Sequence, residues 1–232
     1  MRVHRLPENF SLERARRAQL AIARMVLEED SLPESVRRAA GVDVAFKGDY
    51  AFAAAVVVEY PSFSVVDYSV TRTEVRFPYV PTLLAFREVW PAYTALKRLK
   101  SEPDVLLVDG NGRLHPFKAG FACHLGVLVD KPTIGVAKKL LVGEVGSWKS
   151  GVAPVLYRGE VLGMAVKTSE RSKPVFVSIG HKISLNTAVW IVRMFTKRGL
   201  RLPEPLRLAH LYATAYARGN MEEKDFYLDE PS

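Results

Sequence analysis

The chain has 232 residues, 48% hydrophobic and 25% charged, an ordinary globular composition long enough for one α/β domain or two small ones. Its longest wholly apolar run, Ala51 to Val58, is far too short to cross a bilayer, and residues 1–10 lack an apolar signal-peptide core, so a cytoplasmic protein with no membrane partner is expected. The single cysteine, Cys123, excludes an intrachain disulfide and a cysteine-rich zinc site, while the formal charge of +8 favours a polyanionic partner. Glutamine occurs only at Gln19 and asparagine only at Asn9, Asn111, Asn186 and Asn220, a scarcity of thermolabile amides that suggests a hot environment.

Ser11 to Glu29 predicts a basic amphipathic helix within an N-terminal extension, residues 1–38. Ala39 to Phe46 alternates as a strand, with Val42, Val44 and Phe46 on one face and Gly41, Asp43 and Ala45 on the other. Gly48-Asp49 and Pro61-Ser62 mark turns around further strands at Ala51–Tyr60 and Phe63–Arg76, giving an antiparallel meander. Pro81 suits the first turn of a helix reaching about Lys100. Val105–Val108 reads as a strand buried on both faces, and a helix is expected from Phe117 to Asp130. Strands follow at Thr133–Ala137, Val152–Tyr157, Val161–Lys167 and Val175–Ser178, then helices at Ser184–Lys197 and Pro205–Arg218. The acidic tail after Asn220 is expected to be mobile. No linker or repeat divides this order. It predicts a single α/β domain over residues 1–232, with a central mixed sheet (antiparallel meander plus parallel strands) flanked by helices.

Several residues could carry chemistry. Asp109 ends the buried run Val105–Val108 and precedes Gly110-Asn111-Gly112, at the carboxyl end of a strand where ligands gather in open α/β sheets. The alternative is an aspartate that merely starts a turn. Asp43 shares its face with Gly41 and Ala45, so in a central strand its charge needs a partner or a metal; on an edge strand it would face water. Glu88 lies at helical spacing with Leu84, Ala85, Ala92 and Ala95, an apolar face that points it inward, as a metal ligand or as half of a buried ion pair. Three inward carboxylates with no cysteine or histidine cluster favour a hard divalent cation, Mg²⁺ or Mn²⁺.

Lys138 ends the strand Thr133–Ala137 and either neutralises a transition-state phosphate or is an ordinary solvated lysine like Lys139. His210 recurs with Leu206, Ala209 and Ala213, which by itself reads as a core histidine. His115 sits just past the glycine turn, close in sequence to Asp109, whereas His124 suggests no role. In Phe77-Pro78-Tyr79-Val80-Pro81 two prolines stiffen the backbone around a tyrosine. Such a rigid aromatic can fill the gap left when a base leaves a duplex, or can pack on the surface as a structural loop.

Together these segments resemble the endonuclease V family. Ala40-Gly41-Val42-Asp43 is similar to its first metal-binding strand, Phe77 to Pro81 to its Pro-Tyr-Ile-Pro wedge, and Leu84-Ala85-Phe86-Arg87-Glu88 to its glutamate-bearing helix. Val108 to Gly112 with His115-Pro116, Ile134-Gly135-Val136-Ala137-Lys138, and Pro205 to His210 resemble later motifs in the same order. The similarity runs from about Ala39 to Ala213.

The resemblance implies an RNase H-like fold and an Mg²⁺-dependent endonuclease, with Mn²⁺ able to substitute. Its substrate would be inosine-containing DNA, with RNA a further possibility, cut at the second phosphodiester bond 3′ to the lesion to leave 3′-hydroxyl and 5′-phosphate ends. Asp43, Glu88 and Asp109 would bind metal, His210 would assist there, and Lys138 would stand near the scissile phosphate. Tyr79, between Pro78 and Pro81, would be the wedge, with Thr82, Gly110, Gly112, His115 and Gly120 around the base pocket. No obligate protein partner is expected. Three positions depart from the family pattern. Thr82 stands where glycine is expected and Asn111 where glutamine is common, which bears on the pocket; Phe117 replaces a basic residue, which bears on backbone grip. The competing readings are another RNase H-like nuclease, such as a hybrid-cutting ribonuclease or a junction resolvase, and a non-catalytic inosine-binding module. The wedge and His115-Pro116 argue against the first and the retained carboxylates Asp43, Glu88 and Asp109 against the second; an inosine requirement and Mg²⁺-dependent cutting would discriminate them.

Overall fold

The first helix is capped by a serine. In a computed structural model that describes residues 6, 10–170 and 172–221, Ser11 Oγ accepts from the Arg14 amide at 3.2 Å and starts α1 (Leu12–Met25). This helix is shorter than the predicted Ser11–Glu29, because Val26 turns extended and is buried against Val36 and the main core. Three strands follow: β1 (Arg38–Lys47), β2 (Tyr50–Glu59) and β3 (Ser64–Glu74). They pair antiparallel, as their alternation and turn residues predicted.

Next come α2 (Ala85–Lys97), β4 (Val105–Asp109), α3 (Phe121–Val129) and β5 (Thr133–Ala137). The chain continues through β6 (Glu144–Val145), β7 (Val152–Tyr157), β8 (Glu160–Val166), β9 (Val175–His181), α4 (Leu185–Met194) and α5 (Glu204–Arg218). Two helices start later than expected, each for a backbone reason. Thr82 has φ +68, so α2 begins past it rather than at Pro81, and Lys118 has φ +50, so α3 begins at Phe121 rather than Phe117. The short strand β6 has no alternation to read in two residues. The expected mobile tail from Asn220 falls, over residues 222–232, outside the described residues.

The nine strands of the described residues form one sheet in the order β3-β2-β1-β4-β5-β9-β8-β7-β6, with β1, β4 and β5 parallel and the remaining pairs antiparallel. This is the mixed sheet that the sequence predicted. Ala92 and Ala95 of α2 with Phe121, Ala122 and Leu125 of α3 cover the face carrying Val42, Ala53, Ala55 and Val108. Helices α4 and α5 cover the opposite face, where Ile191, Val192 and Leu206 pack on Val105, Leu107, Ile134 and Val136. Gly41 lets α5 settle onto β1, since a Cβ there would lie 2.0 Å from the Pro205 carbonyl oxygen. Ala209 and Ala213 continue that close approach against Val56, Val58, Ala54 and Val70. Among the described residues no helix is long and apolar enough to cross a membrane.

Candidate active site

The sheet register assembles the acidic residues. Parallel pairing of Val42 with Val108 leaves Asp43 and Asp109 next in line on adjacent central strands, at the carboxyl end of β4. Asp43 therefore lies well inside the sheet, between β2 and β4, and not on an edge facing water. Its Oδ1 accepts from the Val44 amide at 2.8 Å and its Oδ2 from His210 Nδ1 at 2.7 Å. His210 is half exposed, which sets aside its reading as a core histidine. The seating of α5 on Gly41 carries it there, a little over one turn after Pro205.

Lys138 follows β5 directly and pairs its ammonium with Asp109 Oδ2, while Arg201 Nη2 holds the Lys138 carbonyl at 2.6 Å. Glu88 enters from α2 on the other face of the sheet and sits within electrostatic reach of Asp43 and Asp109. Burial, with repulsion from those two carboxylates, pushes Glu88 up to about 8. Burial and Asp43 raise Asp109 as well, against the pull of Lys138. The hydrogen bond to Asp43 raises His210 above the usual histidine value.

Crowded carboxylates of this kind fit a divalent cation. One ligand atom each from Asp43, Asp109 and His210 falls within a 4.8 Å span, and carboxylate oxygens suit a hard cation such as Mg²⁺. Glu88 is a further oxygen donor close by, held protonated near neutral pH until a positive charge favours its ionised form.

A cavity of about 160 Å³ opens beside this cluster, sharing Glu88 and Asp109 with it. Tyr79, Pro81, Thr82, Gly110, His115 and Gly120 line it, together with Leu84, Ala85, Asn111, Ala119, Phe121 and Leu141. Pro78 and Gly112 do not. A Cβ at Gly112 would lie 2.1 Å from the Ile179 carbonyl oxygen, and the Gly112 amide donates to Ser178 Oγ at 2.9 Å, so this glycine pins the loop to β9 from beneath. Tyr79 stands 66% exposed at the rim, while Phe77 anchors the loop against Phe10 and Phe86.

His115 is buried: its Nδ1 accepts from the Phe117 amide at 3.2 Å and its Nε2 donates to the Thr82 carbonyl at 3.1 Å. Burial pulls its pKa down to about 4, which keeps the ring neutral. Asn111 Oδ1 is buried without a hydrogen-bond partner among the described residues. Two further residues, Leu141 lining the cavity and Arg201 behind Lys138, carry no signal in the sequence. Neither sits in a recognisable motif, and both reach the site through contacts distant in the chain.

Carboxylates, an ammonium and a histidine converging at the carboxyl ends of parallel central strands, with a meander on one flank, define a nuclease of the RNase H-like class. Comparison with known proteins is specific. The family model described as Endonuclease V matches residues 20–211. Endonuclease V of Roseiflexus sp. is 43% identical over 215 residues, covering 90% of this chain and 94% of its own, and that of Gloeobacter violaceus is 45% identical over 190 residues, covering 78% and 76%. The crystal structure of endonuclease V from Streptomyces avermitilis superposes with a TM-score of 0.84 at 36% identity, covering 94% of this chain and all of that one. A Ciona intestinalis endonuclease V in complex with a 24mer DNA containing an inosine followed by a ribo-adenosine superposes with a TM-score of 0.80 at 30% identity, over 90% and 98% of the two chains. The chain belongs to the endonuclease V family.

Proposed function

We propose that the protein is a repair endonuclease that recognises deoxyinosine in DNA and hydrolyses the second phosphodiester bond 3′ to it, leaving 3′-hydroxyl and 5′-phosphate ends. The carrying observation is the adjacency of the Asp43, Asp109 and His210 cluster to a cavity lined by Glu88 and Asp109, the two meeting at Asp109. Cutting beside a lesion requires one place for the displaced base and another for a neighbouring phosphate, and this arrangement supplies both. The Ciona relative's complex with inosine-containing DNA supports the same reading. One domain would carry the whole activity, in the cytoplasm.

Hypoxanthine pairs weakly, so displacing it from the duplex costs less than displacing a normal base. Tyr79, exposed and held between two prolines, would fill the gap in the stack. In the cavity wall Asn111 Oδ1 is a buried acceptor without a partner among the described residues. Backbone groups of the loops around Gly110 and Gly120 can read the carbonyl edge of hypoxanthine, where adenine carries an amino group. Asp43, Glu88 and Asp109 would hold Mg²⁺, or Mn²⁺ in its place, with His210 beside them. When bound, such an ion activates the attacking water and neutralises charge on the leaving oxygen. His210 fixes the Asp43 carboxylate through its Nδ1–H. Lys138, at the end of β5, offers positive charge to a phosphate oxygen.

The test is cleavage of an end-labelled duplex with one deoxyinosine, in Mg²⁺ or in EDTA, beside an Asp109→Ala control. One Mg²⁺-dependent nick a nucleotide beyond the inosine, absent from the control, is the expected result. An intact duplex would move the trial to inosine-containing RNA. If both stayed uncut while the folded protein bound them, the catalytic reading would be lost.

A further inference from the structure

Thr82 has φ +68, a left-handed conformation that a β-branched residue adopts only when its surroundings impose it. Donors from two directions converge on it. Gln19 Nε2 donates to the Thr82 carbonyl at 2.6 Å, His115 Nε2 to the same oxygen at 3.1 Å, and Arg16 Nη2 to the Thr82 hydroxyl at 2.9 Å. Gln19 is the only glutamine in the chain and is fully buried. Its side-chain oxygen accepts from Arg16 Nη1 at 2.8 Å, so two residues one turn apart on α1 brace each other while both hold Thr82. The Arg16 guanidinium also lies 4.2 Å above the Phe117 ring, which means that Thr82 and Phe117, two departures from the motif pattern, meet at one side chain. Apolar contact runs alongside, with Ala15 of α1 clustered with Phe77 and Leu83 at the two ends of the loop.

We infer that α1 is a clasp on the loop from Phe77 to Thr82, in which Arg16 and Gln19 are positioning residues that hold Thr82 left-handed and so set Tyr79 at the cavity rim. A buried glutamine is costly unless its amide is paired; here the amide nitrogen holds the Thr82 carbonyl and the oxygen accepts from Arg16, which itself holds the Thr82 hydroxyl. The catalytic consequence rests on reading Tyr79 as the wedge; the structural consequence does not.

The experiment compares Arg16→Ala with Gln19→Ala, alone and together, in the full chain with and without Thr82→Gly. Amide exchange across residues 77–84 is followed without substrate, where the Leu83 amide to Val80 carbonyl bond reports on the loop. Single-turnover rate and KM are measured on duplex and single-stranded inosine DNA. The paired substitution is expected to speed exchange and to slow duplex cutting by about tenfold each, with a smaller loss on single strands. With Thr82→Gly present the same pair should change either quantity less than about threefold, because glycine holds positive φ unaided. Equal effects in the two backgrounds, or none, would overturn the clasp. If melting shows the paired variant unfolded, Thr82→Val decides through the Arg16 arm alone: faster exchange supports the clasp, and exchange like that of the unaltered protein overturns it. Since exchange needs no substrate, the clasp can fail while the protein still nicks inosine DNA, and can hold if it does not.

Discussion

His210 Nδ1 donates to Asp43 Oδ2 at 2.7 Å, joining a half-exposed ring on α5 to a largely covered carboxylate in the centre of the sheet. The bond fixes the direction of the other Asp43 lone pairs from the solvent side. Replacing His210 by alanine should lower single-turnover cleavage about a hundredfold. The melting temperature should move little, because the ring is half exposed. A large fall in melting temperature with a normal rate would reverse the assignment.

Lys138 is paired with Asp109 and held from behind by Arg201. Lys138→Met keeps the stem and removes the charge. It should slow cutting by about 10²- to 10³-fold under single-turnover conditions, the usual scale for removing one electrostatic stabiliser. A variant that cuts at the normal rate would end the role of Lys138 at the phosphate.

Tyr79 is exposed, so its loss should cost the fold little. Tyr79→Ala should weaken cutting of duplex inosine DNA about tenfold or more and affect single strands less, because only a duplex has a stack to refill. Equal losses on both substrates would remove the wedge.

Glu88 gives a pH signature. Its folded value of about 8 lies far above the ordinary 4.5, so between those limits the folded state keeps a proton that the unfolded chain has released. Stability in EDTA should therefore fall as pH rises through this window, and Asp109, also raised, adds in the same direction. Added Mg²⁺ favours the ionised form and should counter the fall while releasing protons. Melting curves from pH 5 to 9 check this, and Glu88→Gln should flatten the slope; an unchanged slope in that variant would place the titration elsewhere.

Much of the site was legible because its chemistry lies in short local patterns. Alternation placed Asp43 on the Gly41 face, helical spacing turned Glu88 inward, and an apolar run ending in Asp-Gly marked Asp109 as a strand terminus. His210 misled by the same logic. Its spacing with Leu206 and Ala209 suggested the core, yet it lies at the boundary of that stripe and is half exposed. Helix starts were misplaced at Pro81 and Phe117 because positive φ at Thr82 and Lys118 follows from neighbours far along the chain.

The sequence by itself determined the mixed sheet, the family and the identity of the acidic residues, since periodicity and motif order depend only on near neighbours. Tertiary structure alone decided the rest: that β1 and β4 lie side by side, so that Asp43 and Asp109 share a place; that Gly41 admits Pro205 and thereby delivers His210; and that Arg16 and Gln19 close on Thr82. Each is a contact between segments distant along the chain, fixed by which faces pack once the sheet has formed, and no local pattern encodes it.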